Sequence, residues 1–265
     1  MTLRCIEARV VVGGRALLEG ISATLRPGRF TAILGPNGAG KSTLLSLLSA
    51  QRRPSAGEVL LDGRQIGSFS SHMLALRRAV MPQESAVAFN FTVREVAELG
   101  RYPHRQRPDT DEANIVSRAL EATDVSALAP RIFNTLSGGE KARVHLARAL
   151  AQVWGSRPDD AARWLLLDEP TAALDLAHQH QALRLLRERA NGQGVGVVAV
   201  LHDLNLALCY ADDALLLARG EAACFGPVSE VLTPERMKRI WGVECTPVRN
   251  AAGVLQYLFE PSGAS

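Results

Sequence analysis

Along the chain, short unbroken apolar runs alternate with stretches whose apolar residues recur every three or four positions. This is the pattern of a mainly parallel sheet covered by helices. "FTAIL" (Phe30 to Leu34), "WLLLD" (Trp164 to Asp168) and "VGVVAVL" (Val195 to Leu201) have strand length and no polar face, so they predict buried central strands. "TLLSLLSA" (Thr43 to Ala50) and "LNLALCYA" (Leu204 to Ala211) predict helices packed on those strands. The N-terminal run to Leu25, and "EVLLDG" at Glu58 to Gly63, alternate as strands do between glycine turns, and predict an antiparallel edge layer. Between about Phe91 and Leu150 the strand pattern gives way to "VREVAELG", "DEANIVSRALEAT" and "GEKARVHLARALAQVW", all with helical periodicity, so a helical insertion is expected there. "TPERMKRIWG" has a threonine N-cap, proline at the first helical position and glycine just past the end, which predicts a short terminal helix.

Composition narrows the class. With 265 residues, 47% of them hydrophobic, the chain can bury the core of one large α/β domain. Its longest apolar runs fall well short of the ~20 residues of a membrane helix. The opening "MTLRCIEARVVV" lacks the apolar region and cleavage site of a secretion signal, so a cytosolic location is expected. Cys5, Cys209, Cys224 and Cys245 are far apart and form no C-x-x-C pair, which reads as reduced, mostly packed thiols. A net charge of +3 gives no argument for nucleic acid. The basic run "RYPHRQR", Arg101 to Arg107, is expected to be a solvated surface loop.

Chemistry enters where "FTAIL" runs into "GPNGAGKST", Gly35 to Thr43, and then into a helix. This is G-x-x-x-x-G-K-[ST] in its strand–loop–helix setting. The loop of Gly35, Pro36, Asn37, Gly38, Ala39 and Gly40 can turn its N–H groups onto a phosphate chain, Lys41 can reach the β- and γ-phosphates, and Ser42, followed by Thr43, can hold Mg²⁺. "WLLLDEP" sets two acids at the carboxyl end of an apolar strand, where open α/β sheets place ligands. Beside a phosphate loop, Asp168 is expected to fix Mg²⁺ and Glu169 to polarise the attacking water. His202, just after "VGVVAVL", reaches the same edge and is a candidate γ-phosphate contact. "LSGGE" is ambiguous by itself. Ser137 and Glu140 have the spacing of a capping box, while Ser137, Gly138 and Gly139 also offer free N–H groups to an anion at a helix start.

Phosphate loop, "LSGGE", "LLLDEP", "TAALD" and "VLHD", in that order, resemble the ATP-binding-cassette (ABC) family over nearly the whole chain. The resemblance implies an α/β fold: a P-loop NTPase core of ABC type with an antiparallel β edge layer and an inserted α-helical subdomain, one domain over 1–265 with the insertion at 91–150. It implies ATP and Mg²⁺ as cofactors and a homodimer in which Ser137, Gly138 and Gly139 close over the partner's nucleotide. Gln83 in "MPQ" becomes a further Mg²⁺ ligand linked to the helical insertion, and Asp175 in "TAALD" an interface residue. Lys41, Gln83, Glu169 and His202 are then the expected catalytic set. The family usually stacks adenine on an aromatic residue where this chain has Val12.

One cassette without a fused membrane segment implies a separate subunit working with two copies of a transmembrane permease, peripheral on the cytoplasmic face of the inner membrane. "FNFTVREVAELGRYPH", "LDLAHQH" and "VLHDLNLALCYADDALLLARGEAACFG" resemble the importer branch for iron–siderophore complexes, cobalamin and haem. The wording of "LDLAHQH" and the long segment "AQVWGSRPDDAAR" lean towards haem import, with a periplasmic haem-binding protein as an indirect partner. Ferric-siderophore or cobalamin import stays open, as does a soluble non-transport ABC ATPase, although such ATPases typically carry a coiled-coil insertion or tandem cassettes. His178 and His180 point about 200° apart on a helix and cannot converge on one metal ion.

Overall fold

The computed structural model describes residues 1–83, 89–106, 108, 111–155, 159 and 161–260. The chain opens with β1 (Leu3–Val12) and β2 (Arg15–Leu25), and β3 (Phe30–Leu34) then leads through a glycine-rich loop into α1 (Lys41–Leu48). β4 (Ala56–Leu61) and β5 (Arg64–Gln65) return to the first strands, followed by α2 (Ser71–Arg77) and β6 (Arg78–Met81). Three helices come next: α3 (Val93–Glu98), α4 (Glu112–Ala122) and α5 (Gly138–Gln152). β7 (Trp164–Asp168), α6 (Leu176–Gln193), β8 (Gly196–Val200), α7 (Leu204–Tyr210) and β9 (Asp213–Ala218) alternate strand with helix. β10 (Glu221–Pro227), α8 (Val228–Val231), α9 (Pro234–Trp241) and the hairpin β11 (Glu244–Arg249) and β12 (Leu255–Glu260) complete the described chain.

These strands form an antiparallel sheet in the order β2-β1-β4-β5 and a six-stranded sheet in the order β10-β9-β3-β8-β7-β6, parallel except for β10. The central strands read as unbroken apolar runs because both of their faces are covered. In β3, Phe30, Ala32 and Leu34 join a core shared with α3 to α7, whereas Ile33 joins a second core shared with α1 and the antiparallel sheet. β7 divides in the same way, with Leu165 and Leu167 on one side and Trp164 and Leu166 on the other. Parallel pairing of Ile33 and of Asp168 with Val200 aligns the carboxyl ends of β3, β7 and β8, so the segments that follow them emerge side by side.

Several elements differ from the sequence expectation. β6 is absent from it, because "RAVM" is a four-residue edge strand whose Arg78 and Val80 are only half-buried. "TPERMKRIWG" does form its capped helix, with Gly242 in the left-handed region at φ 71°, but the helix is not terminal: β11 and β12 follow it. "RYPHRQR" is only partly a solvated surface: Tyr102, Arg105 and Gln106 are exposed, but Arg101 is not. Leu99–His104 is a 3₁₀ turn, and Arg101 is buried with its guanidinium on both oxygens of Glu112 (2.6 and 2.8 Å) and on the Ala151 carbonyl (2.8 Å). Arg107 and residues 156–158 and 160 of "AQVWGSRPDDAAR" lie outside the described residues. All four cysteines are free thiols; Cys5 is buried, which pushes its pKa up to about 12, and the others are half-buried. No helix among the described residues is long and apolar enough to cross a membrane.

Candidate functional site

The phosphate loop is shaped by what its glycines must avoid. Gly35 directly follows β3 at φ 147°, and a Cβ there would lie 2.2 Å from the Leu217 carbonyl oxygen; at Gly40, φ 99°, it would lie 2.6 Å from Leu18 Cδ2. Gly35→Ala is therefore expected to lower stability by about 1–3 kcal/mol, because backbone must shift to admit the methyl. Denaturant unfolding checks this, and an unchanged midpoint would contradict it. Gly40 is the N-cap of α1 and supplies no side-chain acceptor, so the first N–H groups of the helix are left for an anion. Lys41 curls back inside the loop, where its Nζ donates to the carbonyls of Gly35 (2.9 Å) and Pro36 (3.0 Å). Burial lowers its pKa, against the opposing pull of Glu169 and Asp168.

The end of β7 supplies the acids. Asp168 Oδ1 accepts from Ser42 Oγ at 3.2 Å, joining the strand to the first turn of α1. Burial raises its pKa, and the Ser42 hydrogen bond works against that rise. A hydroxyl and a carboxylate already side by side are hard oxygen donors, the kind Mg²⁺ takes alongside phosphate oxygens, so the pair fits that ion. Glu169 has φ 52°, left-handed for a residue with a side chain, and such positions concentrate at functional sites. Its two carboxylate oxygens meet different partners: Oε2 accepts from Gln83 Nε2 at 2.9 Å, and Oε1 lies 2.7 Å from His202 Nε2. Residues from the phosphate loop, the end of β6, the end of β7 and the end of β8 thus converge on one cleft of about 660 Å³.

Asn37, Gly38, Gly40, Lys41, Ser42, Thr43, Gln83, Glu169 and His202 line that cleft. Arg15 and Leu17 line it as well and were not expected; the alternation of β2 beside the loop was the available signal, since Gly40 packs against Leu17 and Leu18. Val12, opposite Arg15 in the hairpin, is exposed.

Ser137, Gly139 and Asp175 are elsewhere. They border a separate recess of about 330 Å³ with Glu140, Arg143, Ala173, Leu174 and His178, and the two cavities share no residue. Within this chain Ser137 and Glu140 do form the capping box: the Ser137 N–H donates to Glu140 Oε2 at 2.7 Å, and the Glu140 N–H donates to Ser137 Oγ at 3.3 Å. A Cβ on Gly139 would approach the Ala173 carbonyl oxygen to 3.0 Å, so the start of α5 rests on the "TAALD" turn. Asp175 caps α6 by accepting from the His178 N–H at 2.9 Å, a bond that holds its carboxyl below the usual range. His180 instead pairs with the Tyr210 hydroxyl at 2.8 Å, so the two histidines serve different partners.

Known proteins resemble this chain in sequence and in fold. The sequence profile of the ABC transporter family matches residues 18–172. The hemin import ATP-binding protein HmuV of Rhodococcus jostii is 46% identical over 91% of this chain and 80% of its own. An ABC transporter assigned to the metal-chelate type, solved in an inward-facing conformation, superposes with a TM-score of 0.79 at 26% identity, over 98% of this chain and 97% of that one. A bacterial ABC transporter cassette solved as a dimer gives 0.73 at 25% identity, over 85% and 98%. Fold, sequence order and the convergence of the phosphate loop with the β7 acids agree: the chain belongs to the ABC transporter family, as an ATP-hydrolysing cassette.

Proposed function

We propose that this cassette powers the import of haem through a separate membrane permease. The observation that carries the substrate is the 46% identity, over nearly the whole chain, to a hemin import ATP-binding protein. Cassettes of this family work as dimers with transmembrane partners, and the proposal assigns here a homodimer on two permease copies, peripheral on the cytoplasmic face of the inner membrane, fed by a periplasmic haem-binding protein. Nucleic acid has no part in it.

In this reading the loop from Gly35 to Thr43 cradles the phosphates of ATP, and Lys41 exchanges its two carbonyl partners for phosphate oxygens. Ser42 and Asp168, with Gln83, would hold Mg²⁺, which when bound neutralises charge on the transferring phosphoryl group. Glu169 acts as general base toward the attacking water, and His202, bonded to it, faces the γ-phosphate. Ser137, Gly138 and Gly139 complete the partner subunit's site, and Asp175 lies at the interface. That assignment accounts for a recess separate from the nucleotide cleft of the same chain. The whole chain acts as one cassette domain, and its helical segment 91–150 couples Gln83 to the permease.

A second reading, import of another metal chelate such as a ferric siderophore or cobalamin, is favoured by the likeness to the metal-chelate type transporter. Reconstitution with the permease in vesicles separates the two. Haem-loaded binding protein is expected to raise ATP hydrolysis, and only when the permease is present. Stimulation by cobalamin or a ferric siderophore, with none by haem, would overturn the haem assignment.

A further inference from the structure

The segment "AQVWGSRPDDAAR" has no part in the function proposed above, yet its two ends are tied to each other. α5 ends at Gln152, and its last two carbonyls, those of Ala151 and Gln152, meet Arg101 and His104. Arg163 holds the C-cap and the two residues after it: its Nη1 donates to the carbonyls of Val153 (2.9 Å), Trp154 (3.1 Å) and Gly155 (2.5 Å), and its Nη2 to that of Gln193 (2.8 Å), the last residue of α6. One guanidinium thus sits at the C-terminal ends of two helices, where both dipoles favour a cation. Burial lowers its pKa, but arginine keeps its charge. Beside it the Arg189 guanidinium stacks 3.6 Å from the centre of the Trp154 ring and donates to Gln193 Oε1 at 3.0 Å. Arg163 directly precedes β7, the strand that ends in Asp168 and leads into Glu169, and its carbonyl accepts from the Gly196 N–H of β8 at 2.8 Å. At the opposite end of α5 stand Ser137, Gly138 and Gly139.

We infer that Arg163 is a positioning residue, which clamps the C-terminal end of α5 to the strand bearing the catalytic acids and so fixes where Ser137 to Gly139 meet the partner's nucleotide. The inference rests on the trans role proposed for those residues. The fifteen residues of α5 span about 22 Å, so a tilt of about 5° at the clamp moves the far end by about 2 Å. Misplacement by ~1 Å can cost ~10²-fold in rate. Other ties from the same helix end lead elsewhere: Gln152 donates to the carbonyls of Ala75 (2.8 Å) and Arg78 (2.9 Å) at the edge of the sheet, and Arg101 links the Ala151 carbonyl to Glu112 of α4.

The test uses the full chain on a Glu169→Gln background, where ATP traps the dimer. Arg163→Ala is expected to reduce the trapped dimer at least ~5-fold, because the far end of α5 is misplaced, while ATP affinity of the protomer stays within about twofold, since no loop contact changes. Arg163→Lys should fall between, a single ammonium serving fewer of the four carbonyls; it carries the test if the alanine variant does not fold. Tyr257→Ala removes a buried hydrogen bond from the C-terminal hairpin to the Leu232 carbonyl at the end of α8 and serves as the destabilised control, matched by melting temperature. Normal trapping in Arg163→Ala, an equal loss of trapping and of ATP affinity, or an equal loss in Tyr257→Ala would each overturn the clamp. If Ser137→Arg leaves trapping intact, the trans reading falls and takes the clamp with it; if Ser137→Arg abolishes trapping and Arg163→Ala does not, the clamp alone falls.

Discussion

Glu169→Gln is expected to leave Mg²⁺–ATP binding intact and to lower hydrolysis by ~10²-fold or more, the contribution of a positioned general base. The geometry favours this separation of binding from chemistry. The carboxylate accepts at both oxygens, from Gln83 and from His202, whereas the amide keeps one acceptor and gains a donor. His202 retains its partner at the remaining oxygen. Gln83 can turn its own amide to present oxygen to the new NH₂ group, so the cleft stays filled and its shape is kept. Asp168 and Ser42, bonded to each other on the neighbouring segment, are untouched. What disappears is the acceptor for a proton from the attacking water, and ATP should then hold the dimer closed. Turnover by the variant above about a tenth of the normal rate would exclude Glu169 as the base. Loss of ATP binding would instead make it a structural element of the cleft.

How far the sequence foretold this site depended on where each partner of a residue sits. β3, β7 and β8 were legible because strands buried on both faces become unbroken apolar runs, and the phosphate loop was legible because all its parts are contiguous. β11 and β12 were missed: their side chains are mostly exposed or half-buried, and the first contains Pro247, a residue type that argues against a strand in sequence, so neither periodicity nor composition marks them. The basic run at Arg101 misled because the charge that pairs with it, Glu112, lies eleven residues away, at the start of α4. The meeting of Gln83, Glu169 and His202 was legible only through the order of motifs, since three separate strand ends bring them together. Arg163 gave no signal at all, because its partners are backbone carbonyls and any residue type could provide them.

"LSGGE" forms the capping box its spacing allowed; the other reading, a site for the partner's nucleotide, is the central claim. The capping box forms within the chain, so the start of α5 is fixed whether or not a phosphate approaches. If Ser137 to Gly139 act only there, damage to them acts within their own chain. If they complete the partner's site, damage crosses the dimer. The decisive measurement is nucleotide occlusion by mixed dimers on a Glu169→Gln background, one subunit carrying Lys41→Ala and the other Ser137→Arg. Lys41→Ala removes the cation that reaches the phosphates, and Ser137→Arg fills the approach to them from the other side. The latter also removes a cap worth about 1 kcal/mol, a small loss that thermal unfolding can verify. Across the interface both defects then fall on one site, while the other joins an intact phosphate loop to an intact signature. Occlusion of one nucleotide per mixed dimer is the predicted result; occlusion no greater than in either mutant homodimer would contradict the trans assignment and leave the helix cap as the whole role of Ser137.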